Sequence, residues 1–127
     1  MAVRGIGIDV VQVSRIAASR DRFGERFEKR IFTEAELEYC RRHTDPLPHL
    51  AARFAAKEAA SKALGTGMSD GVGFRLIEVH QPGGRVPTLS FQGAALERYD
   101  ALGCTASHLT LSHDGGIAAA CVVLEAS

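Results

Sequence analysis

The N-terminal stretch VRGIGIDVV alternates between two kinds of position. Ile6 and Ile8 fall on one side of an extended chain, and Gly5, Gly7 and Asp9 fall on the other. This period of two predicts a strand at residues 3–11. Because two glycines remove side chains beside the aspartate, the second side leaves room for another backbone or a ligand to approach closely.

Periodicity and capping residues predict five helical segments. Ser14 can cap the first, and Thr33 with Glu36 has the spacing of a capping box before the third. Gly65 stands where a left-handed C-terminal cap ends the fourth. The predicted helices cover residues 15–24, with a stop or bend at Gly24, and residues 26–31, 34–42, 49–65 and 94–102.

Two further pairs of strands surround short turns. Residues 74–80 and 86–91 flank Pro82-Gly83-Gly84, and residues 108–113 and 117–124 flank Asp114-Gly115-Gly116. The order of strand, helices, hairpin, helix and hairpin predicts an α+β fold, with a mainly antiparallel sheet packed against helices. A length of 127 residues suits one small domain, residues 1–127.

The fourth helix, RFAAKEAASKALG, presents two faces of different chemistry. Its alanines recur every four residues, which favours close approach to another element. Phe54, Glu58 and Lys62 also stand four residues apart, and a step of about 400° keeps them on one stripe. A plain surface ion pair explains Glu58 and Lys62 equally well, since Glu at i and Lys at i+4 is the favourable order.

Composition excludes several partner classes. The 15 basic and 15 acidic residues balance, which argues against nucleic acid or a membrane surface as partner. The balance is uneven along the chain, because residues 1–62 hold 12 Lys+Arg against 9 Asp+Glu. Three cysteines without C-x-x-C spacing suggest neither a disulfide framework nor a zinc site. With no targeting or transmembrane segment in the sequence, we expect a cytoplasmic protein.

Asp9 is the residue that changes the interpretation of the fourth helix. An aspartate in an otherwise apolar strand is costly to bury unpaired. It either caps or pairs with a basic side chain, or it holds a cation. Mg²⁺ that acts on phosphates is typically bound by one or two carboxylates together with substrate oxygens. Asp9 and Glu58 would supply such a pair.

Both motifs together resemble the signature motifs of the phosphopantetheinyl transferases. GIGIDVV is followed some 45 residues later by RFAAKEAASKALG, in the order and spacing of that family. The short length and the C-terminal LTLSHDGGIAAACVV are similar to its holo-acyl-carrier-protein synthase branch. The resemblance is strong at these three segments and weak at residues 66–81 and 92–107.

The resemblance implies a reaction of lipid and fatty acid biosynthesis. A serine hydroxyl of apo acyl carrier protein attacks the β-phosphate of coenzyme A, which releases adenosine 3′,5′-bisphosphate. Asp9 and Glu58 are then expected to bind Mg²⁺, and Lys62 to stabilise charge on the departing phosphate. The base that removes the serine proton is left open between Glu58, Glu36 and a metal-bound hydroxide.

The same resemblance assigns binding residues. Coenzyme A contacts are expected from Arg53, Lys57, Lys62, Gly84, Arg85 and His113. The family usually has proline directly after the basic residue of the glycine turn, whereas Val86 precedes Pro87 here, so the contact of Arg85 is open. Docking of the acidic carrier protein is expected at Arg15, Arg22 and Arg26. The resemblance alone implies a homotrimer with active sites between subunits.

Two alternative functions would use some of the same residues. A hydrolase of nucleotide pyrophosphates would use the same Mg²⁺ carboxylates with water as acceptor. A non-enzymatic module that binds carrier protein would use the arginines alone, with Asp9 and Glu58 in salt bridges.

Overall fold

The computed structural model describes residues 1–127 and forms five helices and five strands. The strands are β1 (Ala2–Gln12), β2 (Ile77–His80), β3 (Thr88–Phe91), β4 (Ala106–Asp114) and β5 (Ile117–Ala126). The helices are α1 (Val13–Phe23), α2 (Glu25–Ile31), α3 (Glu34–Arg41), α4 (Leu47–Leu64) and α5 (Gly93–Ala101). None of these helices is both long and apolar enough to cross a membrane.

The strands form two sheets, and every pairing is antiparallel. The larger sheet has the order β1-β5-β4, and the smaller one pairs β2 with β3. Asp9 lies opposite Ala120 in the β1–β5 register. The predicted α+β class with antiparallel sheets is confirmed, and so is the C-terminal hairpin, whose strands end at Asp114 and begin at Ile117.

Helix α4 is the central helix and packs against β1 and β5. Its alanines at 51, 52, 55, 56, 59 and 60 are all buried, which confirms the small-residue face. A Cβ at Gly7 would lie 1.8 Å from the carbonyl oxygen of Ala59, and one at Gly5 would lie 1.9 Å from that of Ala63. The glycine side of β1 therefore admits the backbone of α4, which brings Asp9 close to the stripe that holds Glu58 and Lys62.

Local capping signals are placed as predicted at two helices. Thr33 Oγ1 accepts from the backbone N–H of Glu36, and the Glu36 side chain accepts from the N–H of Thr33. Gly65 ends α4 in the left-handed conformation with φ 81°. These two signals are local in the chain, so tertiary packing does not override them.

The prediction that Ser14 caps α1 is wrong. The helix begins two residues earlier than predicted, at Val13, and has no side-chain cap. The backbone N–H of Val13 donates to the carbonyl of Gly116 in the β4–β5 turn, at 2.9 Å. A tertiary hydrogen bond thus satisfies one of the free amides of the first turn.

The hairpin formed by β2 and β3 is shorter than predicted. Phe74 to Leu76 form a 3₁₀ turn before β2, and β3 begins only at Thr88. The turn presents the carbonyls of Phe74 and Ile77 to the buried ammonium of Lys57. On the other strand Pro87 has no N–H to donate, so the ladder begins after it.

Candidate functional site

Asp9 and Lys62 meet where β1 crosses α4. The ammonium of Lys62 donates to Asp9 Oδ1 at 3.1 Å and to the carbonyl of Ile8 at 3.0 Å. The Asp9 side chain is 17% exposed, whereas that of Lys62 is 52% exposed. The Asp9–Lys62 ion pair therefore lies at the surface, with the ammonium more accessible to solvent than the carboxylate.

Glu58 is a partly buried carboxyl in the neighbourhood of Asp9. Burial raises its pKa, and the negative charge of Asp9 raises it further, while Lys62 and Arg15 act in the opposite direction. Two neighbouring carboxyl groups form a donor set whose negative charge a divalent cation would neutralise. Carboxylate oxygens are ligands that Mg²⁺ prefers, so the carboxylate pair, Asp9 and Glu58, fits the expected metal.

A groove adjoins Glu58 on the side of α1 and α2. Arg15 lies over the ring of Phe54, with its guanidinium carbon 5.6 Å from the ring centre. The groove encloses about 520 Å³, and we call it the arginine groove. Basic, aromatic and carboxylate side chains line it, namely Arg15, Arg26, Arg30, Phe23, Phe27, Phe54, Phe74 and Glu58.

The three predicted docking arginines do not form one straight row. Gly24, with φ 57°, separates α1 from α2 and breaks the line. Arg22 and Arg26 lie over the ring of Phe23, at 5.0 and 5.9 Å. Arg15 and Arg26 line the arginine groove and Arg22 does not, whereas Arg30, which the sequence analysis missed, does.

A second cavity lies on another side of α4. It encloses about 350 Å³ and brings together three of the predicted coenzyme A residues, Arg53, Gly84 and His113. His43 and His49, which the sequence analysis did not single out, also line it. Their rings are stacked, with centres 3.5 Å apart, and His113 lies 5.4 Å from His49. We call this space the histidine cavity.

Arg53 is buried in the wall of the histidine cavity. It is 1% exposed, and its guanidinium carbon lies 4.0 Å from the centre of the Tyr39 ring. One terminal nitrogen donates to Gln81 Oε1 at 3.0 Å, but the buried Nε has no hydrogen-bond partner. A buried guanidinium without a carboxylate beside it is a group that an anion would stabilise.

The lowered pKa of His49 makes the stability of the fold sensitive to acid. Burial lowers its pKa from 6.5 to about 4, helped by the nearby charges of His43, His113 and Arg53. The folded protein therefore binds fewer protons at this site than the unfolded chain between about pH 6.5 and pH 4, and stability falls as the pH drops through that window.

We expect His49→Gln to remove this dependence. Because the ring is partly solvated, the effect is up to about 2 kcal/mol between pH 7 and pH 4.5. Urea unfolding of both proteins at several pH values measures it. Equal slopes of unfolding free energy against pH for wild type and variant would contradict the assignment.

Two predicted site residues belong to the core instead. Lys57 is fully buried, and its ammonium contacts Glu36 Oε1 at 2.8 Å and the carbonyls of Phe74 and Ile77 at 2.9 and 2.7 Å. Glu36 Oε2 accepts from the N–H of Val79 at 2.8 Å. These three contacts use all three N–H groups of the ammonium, so Lys57 has no donor left for coenzyme A and the prediction that it binds coenzyme A is wrong. Glu36 is likewise removed as a candidate base.

The remaining residues fall into two groups that do not meet within one chain. Arg53 and Glu58 are five residues apart on α4, which rotates them by roughly 140° around the axis. They line different spaces, the histidine cavity and the arginine groove. Arg85 is exposed beside Gly84 and makes no hydrogen bond or ion pair through its side chain.

Comparison with known proteins relates the whole chain to one family. The family model described as the 4′-phosphopantetheinyl transferase superfamily matches residues 5–121. A holo-[acyl-carrier-protein] synthase of Koribacter versatilis is 50% identical over 124 residues, which cover 97% of this chain and 98% of that protein. One from Maridesulfovibrio salexigens is 47% identical over 121 residues, covering 95% and 97%.

Solved structures agree with this relation. The holo-[acyl-carrier-protein] synthase of Neisseria meningitidis superposes with a TM-score of 0.86 at 36% identity, covering 98% of this chain and 99% of that one. That of Helicobacter pylori, solved in complex with coenzyme A, gives 0.83 at 32% identity, covering 94% and 99%. The resemblance drawn from the sequence motifs is confirmed.

Proposed function

The chain belongs to the 4′-phosphopantetheinyl transferase superfamily, and from this we infer that it transfers 4′-phosphopantetheine from coenzyme A to a serine of apo acyl carrier protein. It is an enzyme of the holo-acyl-carrier-protein synthase kind. The observation that carries the assignment of its site is that Glu58 lines the arginine groove. One of the two candidate metal-binding carboxylates, Glu58, therefore adjoins a basic surface suited to an acidic protein.

The chain's own residues serve positioning and charge stabilisation. Asp9 and Glu58 would hold Mg²⁺, which when bound neutralises the pyrophosphate of the donor. Lys62, whose ammonium contacts Asp9 at 3.1 Å, would supply the positive charge that stabilises the leaving phosphate. Such electrostatic stabilisation is the main contribution that a protein makes to phosphoryl transfer.

The serine proton is assigned to Glu58 among the two side-chain candidates. Glu36 is 1% exposed and both of its carboxylate oxygens accept hydrogen bonds in the core. Glu58 instead lines an open groove, where a substrate hydroxyl can reach it. Its carboxylate would receive the proton of the substrate hydroxyl.

We further propose that the active site is completed between subunits of a homotrimer. The Asp9–Glu58 group and the Arg53–His113 group face different spaces, so one chain alone does not surround a single donor molecule. The outer face of β1 also exposes an apolar row, with Ile6 at 63%, Ile8 at 61% and Val10 at 60%. A row of this kind is suited to burial against another copy.

Subunit mixing tests the shared site. Glu58→Gln and Arg53→Gln are each expected to inactivate a site, and refolding them together should restore activity to roughly a quarter of wild type for random assortment around a ring. Each variant refolded alone is the control. If the mixture stays as inactive as its components, the two groups belong to sites within single chains.

Arg15→Glu is expected to affect the carrier protein more than the donor. Reversing a charge at the mouth of the arginine groove slows encounter with an acidic partner, so KM for apo carrier protein should rise by about tenfold. KM for coenzyme A should change by less than about twofold. Lys29→Glu is the matched control, because Lys29 lies on α2 but outside the groove. Equal effects on both substrates would contradict the docking assignment.

Intact-mass analysis of apo carrier protein, incubated with coenzyme A and Mg²⁺, tests the reaction. Transfer adds phosphopantetheine to the carrier and requires both substrates. Metal-dependent release of nucleotide without carrier would instead indicate a pyrophosphate hydrolase. Carrier binding without any turnover would indicate a non-enzymatic module.

A further inference from the structure

The histidine cavity is cationic and has no counter-ion of its own. His43, His49 and His113 face it together with Arg53, and no carboxylate lines it. The Nε of Arg53 is buried and unpaired. A space with one permanent positive charge and three protonatable rings is suited to a highly charged anion rather than to a neutral group.

Every charged or titratable group around His49 except one favours its neutral form. His43 follows α3, Arg53 lies on α4, and His113 comes from β4, and each opposes a charge on the ring. Asp45 alone opposes this effect. Tyr39, from α3, presents its ring at 6.3 Å. The turn between β2 and β3 adds only the uncharged Gln81 and Gly84 to the lining.

The geometry of His43 determines where a new proton would go. Its Nδ1 lies 3.1 Å from the carbonyl of Tyr39, and because a carbonyl only accepts, Nδ1 carries the hydrogen. Protonation of this ring therefore occurs at Nε2. Since the centres of the His43 and His49 rings are 3.5 Å apart, positive charges on both rings would repel each other.

A phosphate monoester would reverse this balance. Its second pKa is about 6, so it is close to a dianion at pH 7.5. Arg53 compensates one of the two charges, and the second favours the protonated form of a neighbouring histidine. Binding of the monoester and uptake of a proton are then linked.

We propose that the stacked pair His43–His49 recognises the 3′-phosphate monoester of coenzyme A by taking up one proton. The pair would in this way discriminate coenzyme A from 3′-dephospho-coenzyme A. This inference rests on the proposed function, which places the donor against Arg53 and His113. It adds a specificity role for two residues outside the family's two signature motifs.

Isothermal titration calorimetry at pH 7.5, in buffers of different ionisation enthalpy, counts the protons. Binding of coenzyme A should take up more protons per site, up to one, than binding of 3′-dephospho-coenzyme A, with Mg²⁺ equal in both titrations. Both ligands carry the same pyrophosphate, so protons linked to the metal cancel. The affinity ratio of the two ligands should also fall by up to about tenfold per pH unit above pH 7.5.

Variants assign the proton to the pair. His43→Gln and His49→Gln should each lower the proton difference and the preference for coenzyme A, whereas His80→Gln, which lies outside the cavity, should leave both unchanged. An equal proton count for the two ligands in wild type would overturn the inference even if transfer activity is normal. Absence of coenzyme A binding altogether would overturn the proposed function together with it.

Discussion

Glu58→Gln is expected to lower kcat/KM for transfer by at least about 10³-fold while leaving the fold intact. The amide keeps the shape of the side chain but loses the charge that a divalent cation requires. Asp9→Asn should act in the same direction for the same reason. Coupled assay of carrier modification measures both effects.

The stability of Glu58→Gln separates a chemical from a structural role. Burial and Asp9 both oppose the ionised form of Glu58, so removing its charge should leave the free energy of unfolding unchanged or slightly higher. Glu97→Gln, an exposed carboxylate change on α5, is the matched control. Retention of full activity in Glu58→Gln would remove the metal assignment.

Lys57→Met is expected to destabilise the protein by about 3–5 kcal/mol. The change leaves Glu36 as an uncompensated buried carboxylate and leaves the carbonyls of Phe74 and Ile77 without their donor. Those contacts join α3, α4 and β2, so the loss affects three elements at once. Urea unfolding followed by circular dichroism measures it.

A double variant shows whether the loss comes from the pair. In Lys57→Met with Glu36→Gln the buried negative charge is gone, so the cost should be less than the sum of the two single changes. Lys29→Met provides a control, because its contact with Glu25 is exposed and should contribute less than about 0.5 kcal/mol. A loss below about 1 kcal/mol for Lys57→Met would contradict this account of the core.

The features predicted correctly from the sequence were those with local causes. The capping box of Thr33 and Glu36, the left-handed Gly65 and the hairpin at residues 114–116 each depend on a few consecutive residues. The glycine side of β1 was also predicted to admit a close neighbour, and α4 is that neighbour. Whether the neighbour would be a ligand or a backbone could not be decided from spacing.

The misplaced residues depend on contacts distant in sequence. Lys57 directly precedes Glu58 and so points about 100° away from it on the helix. Its burial, however, follows from a partner on α3 and from a 3₁₀ turn that no local pattern predicted. The sequence gives only a weak indication that His43 and His49 lie close together, because the two residues flank the turn around Pro46. Only the fold of that turn brings the rings together with His113.

One measurement tests the assignment of the catalytic centre directly. Anomalous diffraction at the manganese edge, from crystals grown with coenzyme A and Mn²⁺, locates the ion and its ligands. We expect a single ion bound by carboxylate oxygens of Asp9 and Glu58 and by an oxygen of the donor pyrophosphate. An ion bound elsewhere, or one that contacts neither carboxylate, would contradict the account.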